Sequence, residues 1–310
     1  MIKLLKQLRR KVFGLDEQEA ALHRVIADTN NLIAIPQKNL EKSLSQFHQS
    51  YNQMVLETLA QNAPDTLLTC SINNVKLKVS VDTLLTYVHC LDAYPNMGFQ
   101  YSIETHCVDW LAQFLQAGDC FLDVGAAYGV ISFPLAKVVG ESGKIYAFEP
   151  ARRTQQKLKR LVEVNYFDNI TVIPAAIADK AGSAEFIEYS AENQFSWATD
   201  TSTLADGVTP SLQHFETYSV EIITLDQFVA THNIIPKAIK IDIEGFELYA
   251  LHGAKEVLTT AKPYLCIDIH QDVKTQQSSL IEIQPWLENL GYDCQVNQHT
   301  LFACPRSDHR

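Results

Sequence analysis

Residues Phe121 to Ser132 read FLDVGAAYGVIS, an apolar run that reaches a carboxylate at Asp123 and enters a turn with small residues at Gly125, Ala127 and Gly129. A strand that passes through such a turn into a helix is the opening βα unit of a parallel sheet. It gathers backbone N–H groups and the positive end of a helix dipole at one point, where a nucleotide binds.

Outward from this unit the alternation is regular. The spacing predicts strand 121–125, helix 129–139, strand 144–148, helix 151–165 and strand 170–174. Two extended segments, SAEFIEYS and YSVEIITLDQF, then bracket a polar loop over 191–217 and interrupt the pattern. Strands resume at AIKIDIEG and PYLCIDIH, separated by a helix over 246–260, and after a helix over 277–290 the segments YDCQVN and TLFACP form an antiparallel hairpin. The class is α/β, with a doubly wound and mostly parallel sheet. Upstream, TCSINNVKLKVSV (69–81) alternates about Asn73-Asn74 as a β-hairpin does, and a short helix is expected over 103–115. The N-terminal MIKLLKQLRRKVFGL is a basic amphipathic helix, suited either to an anionic membrane surface or to docking and homodimerisation. Residues 16–60 continue polar and helical, broken near Pro36. The expected division is a helical extension over 1–65 and a catalytic domain over 66–310, with its core at 118–305.

A chain that is 46% hydrophobic and 20% charged is an ordinary globular protein, and its net charge of -11 argues against a broad nucleic-acid surface. The cysteines are odd in number and form no CxxC pair, so they read as reduced thiols of a cytoplasmic protein, and the sequon at Asn169 as accidental. No apolar run is long enough to span a bilayer; any membrane contact is peripheral, at an inner face.

The turn reads G-x-A-x-G and departs from the dinucleotide pattern G-x-G-x-x-G. An acid at Asp123 suits S-adenosylmethionine, which carries an ammonium and a sulfonium, and repels a pyrophosphate. Glu149, at the end of KIYAFEP, is placed to accept ribose hydroxyls. Ala176, in a small apolar segment, suits an adenine. The other readings are that Asp123 caps a helix and that Glu149 is a solvated turn residue.

The strings FLDVGAAYGVIS, FEP, VEIITLDQF, KIDIEGFE and LHGA, in this order, resemble the FkbM-type methyltransferases over roughly residues 100–305. The resemblance implies a seven-stranded Rossmann-like class I methyltransferase fold, S-adenosylmethionine as donor, and a hydroxyl of a glycan, glycolipid or natural product as acceptor. Asp123, Gly125, Ala126, Tyr128, Gly129, Glu149, Pro150, Ala176 and Asp242 are the expected donor-binding residues. In that fold the strands ending at Asp242 and Asp268 are neighbours, and DIE and DIH bring Asp242, Glu244, Asp268 and His270 together as the catalytic group. His270 is the expected base, with Asp268 orienting its ring. Hard oxygen ligands at Asp242, Glu244 and Asp268 suit magnesium, yet nothing in their spacing selects a metal and none is assigned. The alternatives are a non-catalytic methyltransferase-like scaffold and an NAD-dependent oxidoreductase.

Overall fold

The computed structural model describes residues 56–90, 100–189, 203–204 and 215–306. The basic N-terminal helix, Pro36 and most of the 191–217 loop lie outside them. Asn73 and Asn74 both take positive φ, 46° and 66°, as a two-residue hairpin turn requires. They join β1 (Leu67–Ile72) to β2 (Val75–Ser80) as an antiparallel pair. Helix α1 (Val81–Cys90) follows, and β3 (Gln100–Tyr101) lies parallel to β1.

The alternating units then appear in order: α2 (Thr105–Ala112), β4 (Cys120–Val124), α3 (Ser132–Val139), β5 (Lys144–Phe148), α4 (Arg152–Val164) and β6 (Ile170–Ile173). Pro174 has no N–H to continue the ladder. The chain leaves the sheet there and builds a second, four-stranded one from β7 (Ala175–Ile177), β8 (Gly182–Tyr189), β9 (Thr203–Leu204) and β10 (Phe215–Ile223), in the order β7-β10-β8-β9. Ala176 therefore belongs to this second sheet and not to the end of the third parallel strand. The segments that interrupt the alternation are the paired strands β8 and β10.

After α5 (Leu225–His232) and β11 (Pro236–Ile241), the helix expected over 246–260 divides into α6 (Glu247–His252) and α7 (Lys255–Thr260). The Gly253 carbonyl accepts from Asp226 N at 2.9 Å, and the Asp226 carboxylate caps α7 through Glu256 N and Val257 N. One aspartate thus ends one helix and starts the next. β12 (Tyr264–Asp268), α8 (Leu280–Asn289), β13 (Tyr292–Asn297) and β14 (Thr300–Pro305) complete the chain.

The main sheet has seven strands in the order β13-β14-β12-β11-β4-β5-β6, with β14 the reversed strand. The order changes direction between β4 and β11. That switch point opens a crevice at the carboxyl ends of these two strands. Leu122, Val124, Ile239, Ile241, Leu265 and Ile267 are buried on one face of the central strands and Phe121, Ala238 and Cys266 on the other, the apolar run that a covered parallel sheet requires. Two charged residues break it: Asp123 and Lys240, both buried and directly opposite one another across β4 and β11. The described cysteines are unpaired, with Cys70, Cys107 and Cys266 buried and Cys120, Cys294 and Cys304 partly so. Among the described residues no helix is long and apolar enough to cross a membrane.

Candidate active site

The turn after β4 is folded by its neighbours. Gly125 N and Ala126 N donate to Phe148 O at 3.1 and 3.0 Å, and Ala127 sits at φ 44°. A Cβ on Gly125 would lie 1.8 Å from the Asp242 carbonyl oxygen, and one on Gly129 would lie 2.7 Å from the Phe133 ring. The sequence suggests that these glycines keep side chains away from a ligand. The structure gives a different reason: they let the turn touch β11 and the body of α3. Ala126 and Tyr128 are buried and Pro150 is half-buried.

Glu149 is buried, and both its oxygens bind the backbone. Ala127 N donates to Oε2 at 2.9 Å and Ala151 N to Oε1 at 2.8 Å. Burial pushes its carboxyl up to about 7 against these two bonds. Glu149 is therefore no solvated turn residue: it clamps the turn to the start of α4. Replacing it with glutamine turns an amide NH2 toward a backbone N–H, which costs about 1–3 kcal/mol. Glu149→Gln should lower the thermal midpoint of the apo protein. An unchanged midpoint would show that the clamp contributes nothing. Asp123 is fully buried; its Oδ2 accepts from Ser132 Oγ at 2.5 Å, and its Oδ1 has no partner.

Lys240 links the two halves of the crevice. Its Nζ donates to Asp242 Oδ2 at 3.0 Å and to Gly125 O at 3.3 Å. Burial works to discharge the lysine, yet Asp242, Glu104 and Asp123 hold its ammonium well above the ordinary range. Burial likewise opposes ionisation of Asp242, but Lys240 and His270 keep that carboxyl below its usual value.

β11 ends at Ile241, so strand alternation does not place Glu244; a left-handed turn at φ 56° does. His270 Nε2 lies 3.8 Å from Asp242 Oδ1 and 3.7 Å from Glu244 Oε2. Its Nδ1 meets Glu247 Oε1 at 2.9 Å. Glu247, fully buried, also accepts from Gly245 N at 2.9 Å. The orienting carboxylate is therefore Glu247 and not Asp268. Asp268 ends its strand facing β14, where its Oδ1 accepts from Thr300 Oγ1 at 3.3 Å and lies 3.3 Å from His299 Nε2. Burial works to discharge His270, but the bond to Glu247 and the charges of Asp242 and Glu244 push it up to about 10. Burial pushes Glu244 up to about 7, and raises Asp268 with help from Asp242.

Asp242, Asp268 and His270 each offer one ligand atom within 4.8 Å of the others. The spacing admits a cation, but the cation beside Asp242 is the ammonium of Lys240, and we assign no metal. Asp242, Glu244 and His270 converge; Asp268 borders them; Ala176 lies on the other sheet. Lys240, Glu247 and Glu104 are the site residues that sequence reasoning missed. A lysine inside the apolar strand AIKIDI was the available signal, because a buried charge requires a partner.

The sequence model of the "Methyltransferase FkbM domain" matches residues 123–294, more than half of the chain. Among solved structures, the FkbM methyltransferase of Methylobacillus flagellatus KT is 18% identical with a TM-score of 0.42, over 64% of this chain and 51% of that one. A SAM-dependent methyltransferase from Aquifex aeolicus is 20% identical with a TM-score of 0.36, over 64% and 87%. SMU.1697c of Streptococcus mutans, solved in complex with SAH, is 12% identical with a TM-score of 0.37, over 63% and 92%. The match spans about half the length of the Methylobacillus protein. No curated protein matches the sequence. With the domain match extending over more than half of the chain, from Asp123 at the glycine turn past His270, the chain belongs to the FkbM methyltransferase family.

Proposed function

We propose that the chain uses S-adenosylmethionine to methylate a hydroxyl of a glycan, glycolipid or natural-product-like acceptor. The observation that carries this reading is the excess of carboxylates at the switch point. Glu104, Asp123, Asp242, Glu244 and Asp268 surround a crevice whose inner cations are Lys240 and His270. Such a field attracts a cationic ligand and repels a pyrophosphate. The residues fit the donor on one further point, the buried Asp123 Oδ1 without a partner beside the turn. When bound, S-adenosylmethionine would supply an electrophilic methyl group on a positively charged sulfur. The glycine turn and Glu149 would hold the nucleoside, Asp123 and Asp242 would face its cationic end, and the strand-end group would position the hydroxyl for in-line approach.

His270 takes a different part from the one its residue type suggests. Held as an imidazolium by Glu247, Asp242 and Glu244, it has no lone pair for a proton at neutral pH. Its role is to fix the carboxylates, and a carboxylate takes the proton. Titration of the ring followed by NMR should find His270 protonated through pH 8, because a raised folded pKa keeps the charge until the pH approaches about 10. Glu247→Gln should bring the midpoint down. A midpoint near 6.5 in the wild type would restore the histidine as base.

The reading is tested by transfer of tritiated methyl from S-adenosylmethionine to glycerol, D-glucose and L-rhamnose as hydroxyl probes. Label in an ether product supports it. Label in nitrogen or carbon positions of a cell extract, with none in oxygen, would overturn the oxygen assignment.

A further inference from the structure

We propose that Glu104, which precedes the 123–294 domain match, is a catalytic residue: the carboxyl that donor charge ionises and that then takes the proton of the acceptor hydroxyl. The proposal deepens the methyl-transfer reading and rests on it.

The backbone places this residue deliberately. Ile103 N donates to Asn73 Oδ1 at 2.8 Å, and Asn73 Nδ2 donates to Ile103 O at 2.7 Å and to Val130 O at 3.1 Å. One side chain of the β1–β2 turn thereby pins the segment before α2 to the chain just beyond the glycine turn. On the other side, Glu104 O accepts from Cys107 N at 3.0 Å and Val108 N at 3.2 Å, so helix begins at once. Between these fixed points Glu104 turns the corner at φ 47° and ψ 35°. That left-handed conformation is natural for glycine or asparagine and strained for glutamate.

At the N-cap a side chain ordinarily accepts from the first turn of the helix; Glu104 makes no such bond. Its half-buried carboxyl instead lies in the field of Asp123 from β4, Lys240 from β11, Asp242 just beyond that strand and Asp268 from β12. Burial first, then the three aspartates, push it up to about 7 against the pull of Lys240. Strain, a forgone cap and desolvation all act against stability. A residue that keeps all three is held for its chemistry. Glu244 has a similar pKa but faces the His270 imidazolium at 3.7 Å, which makes it the poorer proton acceptor.

In the transfer, an oxygen lone pair forms the O–C bond while the C–S bond breaks. The sulfur keeps that electron pair as a neutral thioether, and the hydroxyl proton passes to a Glu104 oxygen. A cation arriving beside a half-protonated carboxyl favours its ionised form, so the base is readied by the donor itself.

The test uses the full chain with S-adenosylmethionine and S-adenosylhomocysteine, which share the ammonium and differ in the charge on sulfur. Calorimetry at pH 7 in buffers of different ionisation enthalpy should find about half a proton more released with S-adenosylmethionine. Glu104→Gln should remove the larger part of the excess, and Glu104→Asp should retain more of it. Glu104→Gly, which relieves the left-handed strain but lacks the carboxyl, should lose the same part of the excess. An excess undiminished in Glu104→Gln and Glu104→Gly would make the residue structural and overturn the proposal. A wild-type chain that binds neither ligand would overturn the methyl-transfer reading and the role of Glu104 with it.

Discussion

Gly125→Val is expected to eliminate measurable donor binding and to destabilise the chain by more than about 4 kcal/mol, the range reserved for backbone and packing violations of the severest kind. Two causes add. At φ 78° a β-branched residue is strained, and its Cβ would lie 1.8 Å from the Asp242 carbonyl oxygen, which no rotamer relieves. β4 and β11 would have to separate at the switch point, releasing the Gly125 carbonyl from Lys240. Thermal unfolding and titration with S-adenosylmethionine check both parts. A variant with wild-type Tm would mean that the two strand ends do not touch as described.

Lys240→Met should be nearly as damaging, by a different route. The lysine is the buried cation shared by Asp242, Asp123 and Glu104, and removing one partner of a buried pair costs about 3–5 kcal/mol because the remaining charges stay uncompensated. The sign with pH follows. The raised pKa of Lys240 means that its stabilisation is present below the lysine range and lost as the pH rises through it. The loss in the variant depends on ionised carboxyls, so it should be largest near pH 8 and shrink toward pH 4 as they protonate. Paired Tm measurements across this range provide the check. A deficit that is constant with pH would assign the lysine to packing alone.

The parallel alternation was legible from 121 onward because covered strands are written as apolar runs between turns. β4, β11 and β12 stand where LDV, KIDI and LCIDI suggest. The hairpin was legible from Asn73-Asn74, since few other residues accept positive φ twice in succession. What escaped depends on contacts distant in sequence. Pro174 diverts the chain into a second sheet, and only the pairing of β7 with β10 shows where Ala176 goes. Periodicity placed Asp268 and His270 on one side of their strand. The strand ends between them, and the histidine turns to Glu247, a residue hidden within the helical half of KIDIEGFE. Glu104 carries no local signal at all: it reads as an ordinary helix-start acid until Asn73, far upstream, fixes its backbone.

The acid-lined switch point is expected to receive S-adenosylmethionine. Isothermal titration of the full chain with S-adenosylmethionine, S-adenosylhomocysteine and NAD tests it most directly. One equivalent of S-adenosylmethionine should bind, be displaced by S-adenosylhomocysteine, and bind at least about tenfold more weakly to Glu149→Ala, which lacks a charge-assisted carboxylate contact. Saturable binding of NAD with none of S-adenosylmethionine would contradict the account.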